Sequence, residues 1–277
     1  TMKGYAKPLH EFIEGHKIQF VIPVYQRNYD WLIDNCDQLF SDLVKLSRSN
    51  RCSHFFGSIV TSSADSSYNR LVIDGQQRLT TISLLLLAGI KAVKDGAIEI
   101  SEESKIDEAY EVFLKAKFCN SERKIKLVPI ENDRIAYDKI FNEEDSFDED
   151  SKVTRNYRHF YDLLTRKPQA LSFDQLLDAI ERLQIISIEL DSDDDAQLIF
   201  ESLNSTGLAL TEADKIRNYL LMSLTPEEQH MCFKNYWQKI EQATENQPTK
   251  FLRDYLTIQQ QLQRPVRQSN IYYEWKK

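Results

Sequence analysis

The stretch that decides the fold runs from Leu71 to Ile90 and reads LVIDGQQRLTTISLLLLAGI. Its first three residues are β-branched or aliphatic, as in a strand. Asp74-Gly75 then breaks the run, and the rest has no proline and is apolar on nearly every side. A helix that is hydrophobic all round is a buried one, so a central helix is predicted to continue to about Lys94. Asp74 followed three residues later by Gln77 is a capping-box variant at its start. Strand, tight turn and buried helix are thus encoded in twenty consecutive residues.

Upstream, Phe55–Thr61 (FFGSIVT) and Tyr68–Ile73 are strand candidates separated by the turn-like SSADSS, so a hairpin is predicted. Ile18–Val24 is β-rich and stops at Pro23, and Trp31–Leu46 carries apolar residues near helical spacing. Downstream, helices are predicted over Ser101–Phe118, Asn132–Phe141, Lys152–Thr165 and Ala196–Leu203. Strands are predicted at Lys124–Ile130 and Ile185–Leu190. Thr211-x-x-Asp214 opens another helix, with more from Pro226 and near Thr249. Local strands within a helical majority define an α+β class, a small mixed β-sheet core with a large helical complement.

The 277 residues carry 42% apolar and 28% charged side chains, a globular composition that excludes wholesale disorder. The apolar run around Ile82–Ile90 is far below the ~20 residues of a membrane span, and Thr1–Tyr29 lacks the apolar region of a signal peptide. Four scattered cysteines form no C-x-x-C pair, so reduced thiols and a cytoplasmic setting are expected. The net charge is −8, but residues 91–195 alone carry −10, while residues 1–90 and 196–277 each carry +1. The excess is concentrated in EEDSFDED (143–150) and DSDDD (191–195). The second run could complement a helix N-terminus. A metal site there is disfavoured, because the EF-hand glycine and distal Glu are missing. The charge argues against broad duplex binding, not against a localised arginine-bearing pocket.

No P-loop, G-x-G-x-x-G, G-x-S-x-G or H-E-x-x-H motif is present. Three polar constellations stand out. In Asp74–Arg78, Gly75 permits close approach to the backbone, the helix N-terminus favours an anion, and Gln76, Gln77 and Arg78 supply donors. Asp74 could hold a divalent ion or orient water; as an N-cap instead it would contribute about 1 kcal/mol. In IPVYQRNYDW (22–31), Arg27 offers a planar fork for phosphate, and Tyr25 or Tyr29 could stack on a base. Equally, this could be a strand end with Arg27 paired to Asp30 or Asp34. In FESLNSTG (200–207) and the segment through Asn218, caps account for Gly207, Thr211 and Asp214. Asn204, Arg217 and Asn218 are left as candidates to close over a ligand.

IPVYQRNYDW, HFFGSIV, LVIDGQQRLTT and FESLNSTGLALTEADKIRNYLL together resemble, in order and spacing, the N-terminal domain of GmrSD-type restriction enzymes, from about Leu9 to Leu221. The resemblance implies a ParB/sulfiredoxin-like core and binding and hydrolysis of a nucleoside triphosphate (GTP, UTP or CTP). It also implies a role as a sensor module in modification-dependent restriction of phage DNA. Mg²⁺ is expected with the nucleotide, because phosphoryl transfer usually uses a divalent ion to offset charge. By motif, Asp74, Gln76, Gln77 and Arg78 would be catalytic. Tyr25, Gln26, Arg27, Gly75, Asn204 and Asp214 would bind nucleotide. Residues 1–224 would form the nucleotide-binding domain. Residues 225–277 would be a helical connector toward an HNH nuclease domain, whose histidines this sequence does not show, so DNA cleavage is not expected from these residues. Modified phage DNA would be a partner of the full-length protein, a homo-oligomer is compatible, and no membrane partner is expected. The alternative is a regulatory module that binds DNA or nucleotide without hydrolysis.

Overall fold

A computed structural model describes residues 3–63, 68–166, 171–191, 194–203, 210–245, 247–261 and 264–277. The chain divides into two compact units. The first comprises residues 1–22 and 28–194, the second residues 23–27 and 195–277. The seam read from sequence at residue 224 falls inside the second unit.

The first unit is built on a six-stranded mixed sheet. Its strands are β1 (Lys3–Pro8), β2 (Gln19–Val21), β3 (His54–Ser63), β4 (Asn69–Asp74), β5 (Leu127–Val128) and β6 (Leu183–Leu190). The order across the sheet is β1-β6-β3-β4-β2-β5. β3 and β4 pair antiparallel as the predicted hairpin, and β1 pairs antiparallel with β6. The β3–β6, β2–β4 and β2–β5 pairings are parallel. The expected α+β class is therefore observed.

The helix predicted from the opening stretch is α3 (Gln76–Lys94). Only Arg78, Lys91, Val93 and Lys94 escape burial along it. Two of its buried hydroxyls are satisfied one turn back: Thr81 Oγ1 donates to Gln77 O (2.7 Å) and Ser83 Oγ to Leu79 O (3.0 Å). α3 packs on α6 (Lys152–Thr165) and α7 (Phe173–Glu181), as does α2 (Ile33–Ser47). Leu39 and Leu43 face this core and Leu46 is also buried, whereas Trp31 and Leu32 precede α2 and Leu32 is exposed. Between these elements lie α1 (Leu9–Ile13), α4 (Ser104–Ala109, running on as a π-helix through Leu114) and α5 (Glu131–Phe141).

One buried cation braces this unit. Lys126 is 1% exposed, and its Nζ donates to the carbonyls of Ile13 (3.1 Å), Gly15 (2.9 Å) and Val112 (3.1 Å). Burial pushes its pKa down to about 8.

The second unit is helical: α8 (Ala196–Leu203), α9 (Glu212–Leu221), α10 (Pro226–Cys232, continuing as a π-helix to Trp237), α11 (Gln238–Ala243), α12 (Pro248–Gln259) and α13 (Ile271–Trp275). Its core gathers Ala213, Ile216, Trp237, Leu252, Leu256, Val266 and Ile271. The T-x-x-D signature closes as a capping box: Asp214 N donates to Thr211 Oγ1 (3.1 Å) and Thr211 N to Asp214 Oδ2 (3.1 Å). Asp195 caps α8, accepting from Leu198 N (3.0 Å), so the end of DSDDD serves a helix N-terminus. Among the described residues no helix is long and apolar enough to cross a membrane.

Candidate functional site

The Asp74–Arg78 turn joins the end of β4 to the start of α3. Gly75 occupies the cap position with φ +100, a left-handed conformation that favours glycine. A Cβ there would also lie 3.0 Å from Ile59 Cγ1. The cap is therefore Gly75, not Asp74, and the predicted Asp74–Gln77 capping box is replaced by another arrangement. Gln77 instead reaches outward: its Oε1 accepts from Asp30 N (2.8 Å) and its Nε2 donates to Asn28 O (3.2 Å). The first-turn amides of α3 point out of the helix end, since the helix supplies them no acceptor of its own.

Arg78 is held back against strand β3. Its Nη1 donates to Ser58 O (2.9 Å) and lies 3.9 Å from Asp74 Oδ2. The guanidinium sits directly over Gly57, whose φ is +123; a Cβ there would come within 2.6 Å of Arg78 Nε. The β3–β6 register slips between Phe55 and Gly57, and the β3–β4 register slips between Val60 and Thr61, opposite Asp74 and Val72. Such bulges re-aim side chains near a site, and here they flank both Arg78 and Asp74. The side chains of Asp74 and Arg78 keep 23% and 24% exposure, enough to meet a ligand.

Behind the turn lies a polar network. Tyr29 OH shares a hydrogen bond with Thr81 Oγ1 (2.7 Å) and accepts from Asn156 Nδ2 (3.0 Å), which also donates to Trp31 O (2.9 Å). Tyr29 is 4% exposed, so it braces this network and is not open to stack on a base. Its backbone N–H donates to Asp133 Oδ2 (2.6 Å). Burial raises the Asp133 pKa to about 6, against the Tyr29 N–H, which lowers it. Consecutive amides of residues 29 and 30 are thus gripped by Asp133 and Gln77. Nothing local in the sequence marks Asp133; it stands in the first turn of α5, an ordinary place for an acid.

The other sequence-identified residues belong to the second unit. Tyr25 and Gln26 are buried there and Arg27 is half-buried. Arg217 Nε donates to Tyr25 O (2.7 Å), Nη1 to Glu241 Oε1 (2.9 Å) and Nη2 to Asp214 Oδ1 (2.8 Å). The Asn218 carboxamide, its nitrogen turned inward, donates to the same Tyr25 carbonyl (2.5 Å). Arg217 and Asn218 are therefore buried clamps on the 23–27 segment rather than residues left free to close over a ligand. Both carboxylate oxygens of Asp214 are engaged, one by Arg217 and one by the Thr211 cap. Asn204 and Gly207 lie outside the described residues.

Among the described residues no group of three His, Cys, Asp or Glu side chains could hold a metal. Asp74 is the carboxylate within the turn itself, and a Mg²⁺ ion, which takes most of its ligands from water and phosphate, needs no more than one or two carboxylates from the protein. The cysteines are free thiols; Cys36 is buried, and its pKa is pushed up to about 12.

A search of curated proteins returned no match. The model of one family, described as the N-terminal domain of the GmrSD restriction endonuclease, matches residues 9–221. That span contains strands β2 to β6, the Asp74–Arg78 turn, and Arg217 with the Tyr25 carbonyl it binds. The chain belongs to the GmrSD restriction endonuclease N-terminal domain family.

Proposed function

We propose that the first unit binds a nucleoside triphosphate at the Asp74–Arg78 turn and hydrolyses it, as a sensor module of a modification-dependent restriction protein. The observation that carries this reading is the seating of Arg78 over Gly57, beside a left-handed Gly75 at a helix N-terminus. A cationic fork and outward-pointing amides at one turn are complementary to phosphate.

In this reading the first-turn amides of α3 and Arg78 take up phosphate charge, and Arg78 stabilises the charge that develops during transfer. Asp74 would hold Mg²⁺, which when bound offsets phosphate charge and orients the chain of phosphates. Gln77 acts through the 28–30 backbone it grips and is a positioning residue. Gln76 shares the first turn with Arg78 and is the remaining neutral group to orient water. Nucleotide state would gate restriction of modified phage DNA in the full-length protein.

Equilibrium binding of GTP, UTP, CTP and ATP with Mg²⁺ tests the first half of this proposal. Micromolar to millimolar affinity for one of them, weakened about 10-fold in Arg78→Ala, is expected for a lost charge-assisted contact. Equal affinity in the variant would refute the assignment of Arg78.

A further inference from the structure

The C-terminal end of α2 and the loop leading to β3 enclose a second feature, remote in sequence from the Asp74–Arg78 turn. It is a cavity of about 660 Å³ lined by Lys45, Arg48, Arg51 and His54, with Ser49 and the single acid Asp42. In a chain of net charge −8, this is a local concentration of positive charge.

The acid does not neutralise it. Asp42 is shared between Lys45 (3.6 Å) and His54 (3.8 Å), and it also accepts from Gln38 Nε2 (3.0 Å). Among the described residues no carboxylate lies within ion-pairing range of the Arg48 or Arg51 guanidinium. Two exposed forks therefore face the cavity region without a protein anion.

The end of a helix is normally a poor place for an anion, because its last carbonyls carry partial negative charge. Here Arg182 answers that objection. Its Nη1 donates to Leu46 O (3.2 Å) and Arg51 O (3.1 Å), while its Nη2 pairs with Asp178. Ser49 Oγ donates to the same Leu46 carbonyl (3.3 Å) and accepts from Arg51 N (3.4 Å). The loop carrying both arginines is thus fixed from within, and its carbonyls are covered by a cation.

We propose that this cavity binds a phosphate-bearing ligand, with Arg48 and Arg51 as the contacting residues and Lys45 adding charge at the rim. Paired guanidinium forks match the oxygens of a phosphate in shape as well as in charge. The site shares no residue with the Asp74–Arg78 turn and does not depend on the nucleotide reading given above.

The test uses the intact chain and an Arg48→Ala/Arg51→Ala variant. Both side chains are exposed, so an unchanged melting temperature is expected and is checked first. One arm titrates inorganic pyrophosphate calorimetrically. The other follows a short fluorescein-labelled DNA duplex by anisotropy at low and physiological salt. Binding in either arm, weakened about 10-fold or more in the variant, supports the site. In the duplex arm the slope of log K against log salt should also fall by about two units. A pyrophosphate response assigns a small phosphate ligand, and a duplex response alone assigns a nucleic-acid backbone. Absence of binding in both arms, or equal binding by the variant, overturns the proposal. Nucleotide turnover by the variant should equal that of the parent chain, which separates this site from the turn.

Discussion

The guanidinium of Arg78 occupies the space that any side chain at position 57 would need: a Cβ built on Gly57 falls 2.6 Å from Arg78 Nε. A residue on a helix N-terminus and a glycine in a strand twenty-one positions earlier therefore specify one another. Strand β3 is bulged and left-handed at Gly57, and Arg78 reports that distortion to the turn.

Gly57→Ala should lower stability by about 2 kcal/mol, combining a positive φ with the displaced arginine. It should also impair nucleotide turnover while leaving Asp74 and Gly75 unchanged. In an Arg78→Ala background the same substitution should be milder, since only the backbone strain remains. Equal losses in the two backgrounds, measured by urea denaturation, would show that the two residues are not coupled.

Lys126→Met should destabilise the first unit by about 3 kcal/mol, because three buried carbonyls lose their shared donor. The pH dependence has a definite sign. The folded pKa, about 8, lies below the 10.5 of a free lysine, so the charged form is disfavoured in the native state. That penalty is relieved as pH rises from about 8 toward 10.5, and stability should gain over that window relative to Lys126→Met.

Asp133 titrates in the opposite sense. Its folded pKa is about 6 against 3.8, so its contribution is full below pH 3.8 and is lost as pH rises through 6. Asp133→Asn retains an acceptor for the Tyr29 amide and cannot ionise. The variant should therefore gain on the parent by about 2 kcal/mol between pH 4 and 7. A stability difference that is flat over that range would contradict the assignment.

Arg217→Ala removes the partner of two carboxylates and of the Tyr25 carbonyl, and about 3 kcal/mol of destabilisation is expected. The loss should be local. Hydrogen exchange should accelerate in α9 and the Phe233–Trp237 segment while the buried amides of α3 keep their protection. Uniform acceleration in both units would argue against the clamp as a feature of the second unit alone.

The parts of the fold that could be read from sequence are those written locally. The all-round apolar pattern gives α3, the flanking β-rich runs give the β3–β4 hairpin, and T-x-x-D gives the start of α9. β1 could not be read, since Lys3–Pro8 has no apolar alternation and exists through its ladder to β6, some 180 residues away. α7 is also written locally, with Phe173, Leu176, Leu177 and Ile180 at helical spacing behind a Ser172–Gln175 capping box, yet it is not among the helices predicted above.

The candidate site divides the same way. Gly75 was marked by its place between strand and helix, but the contact of Gly57 with Arg78 arises only from tertiary pairing. The lone glycine in the β-rich HFFGSIV is the signal that could have found it. Arg217 and Asn218 are polar residues with no local reason in the sequence. Their reason is the Tyr25 carbonyl, 192 positions from Arg217 in sequence.

The central claim is that the Asp74–Arg78 turn hydrolyses a nucleoside triphosphate. Phosphate release from GTP, UTP, CTP and ATP with Mg²⁺, comparing the parent chain with a folded Arg78→Ala variant, tests it most directly. The account predicts turnover of at least one nucleotide, reduced about 100-fold in kcat/KM by loss of the guanidinium. Release no faster in the parent chain than in the variant, for all four nucleotides, would contradict it.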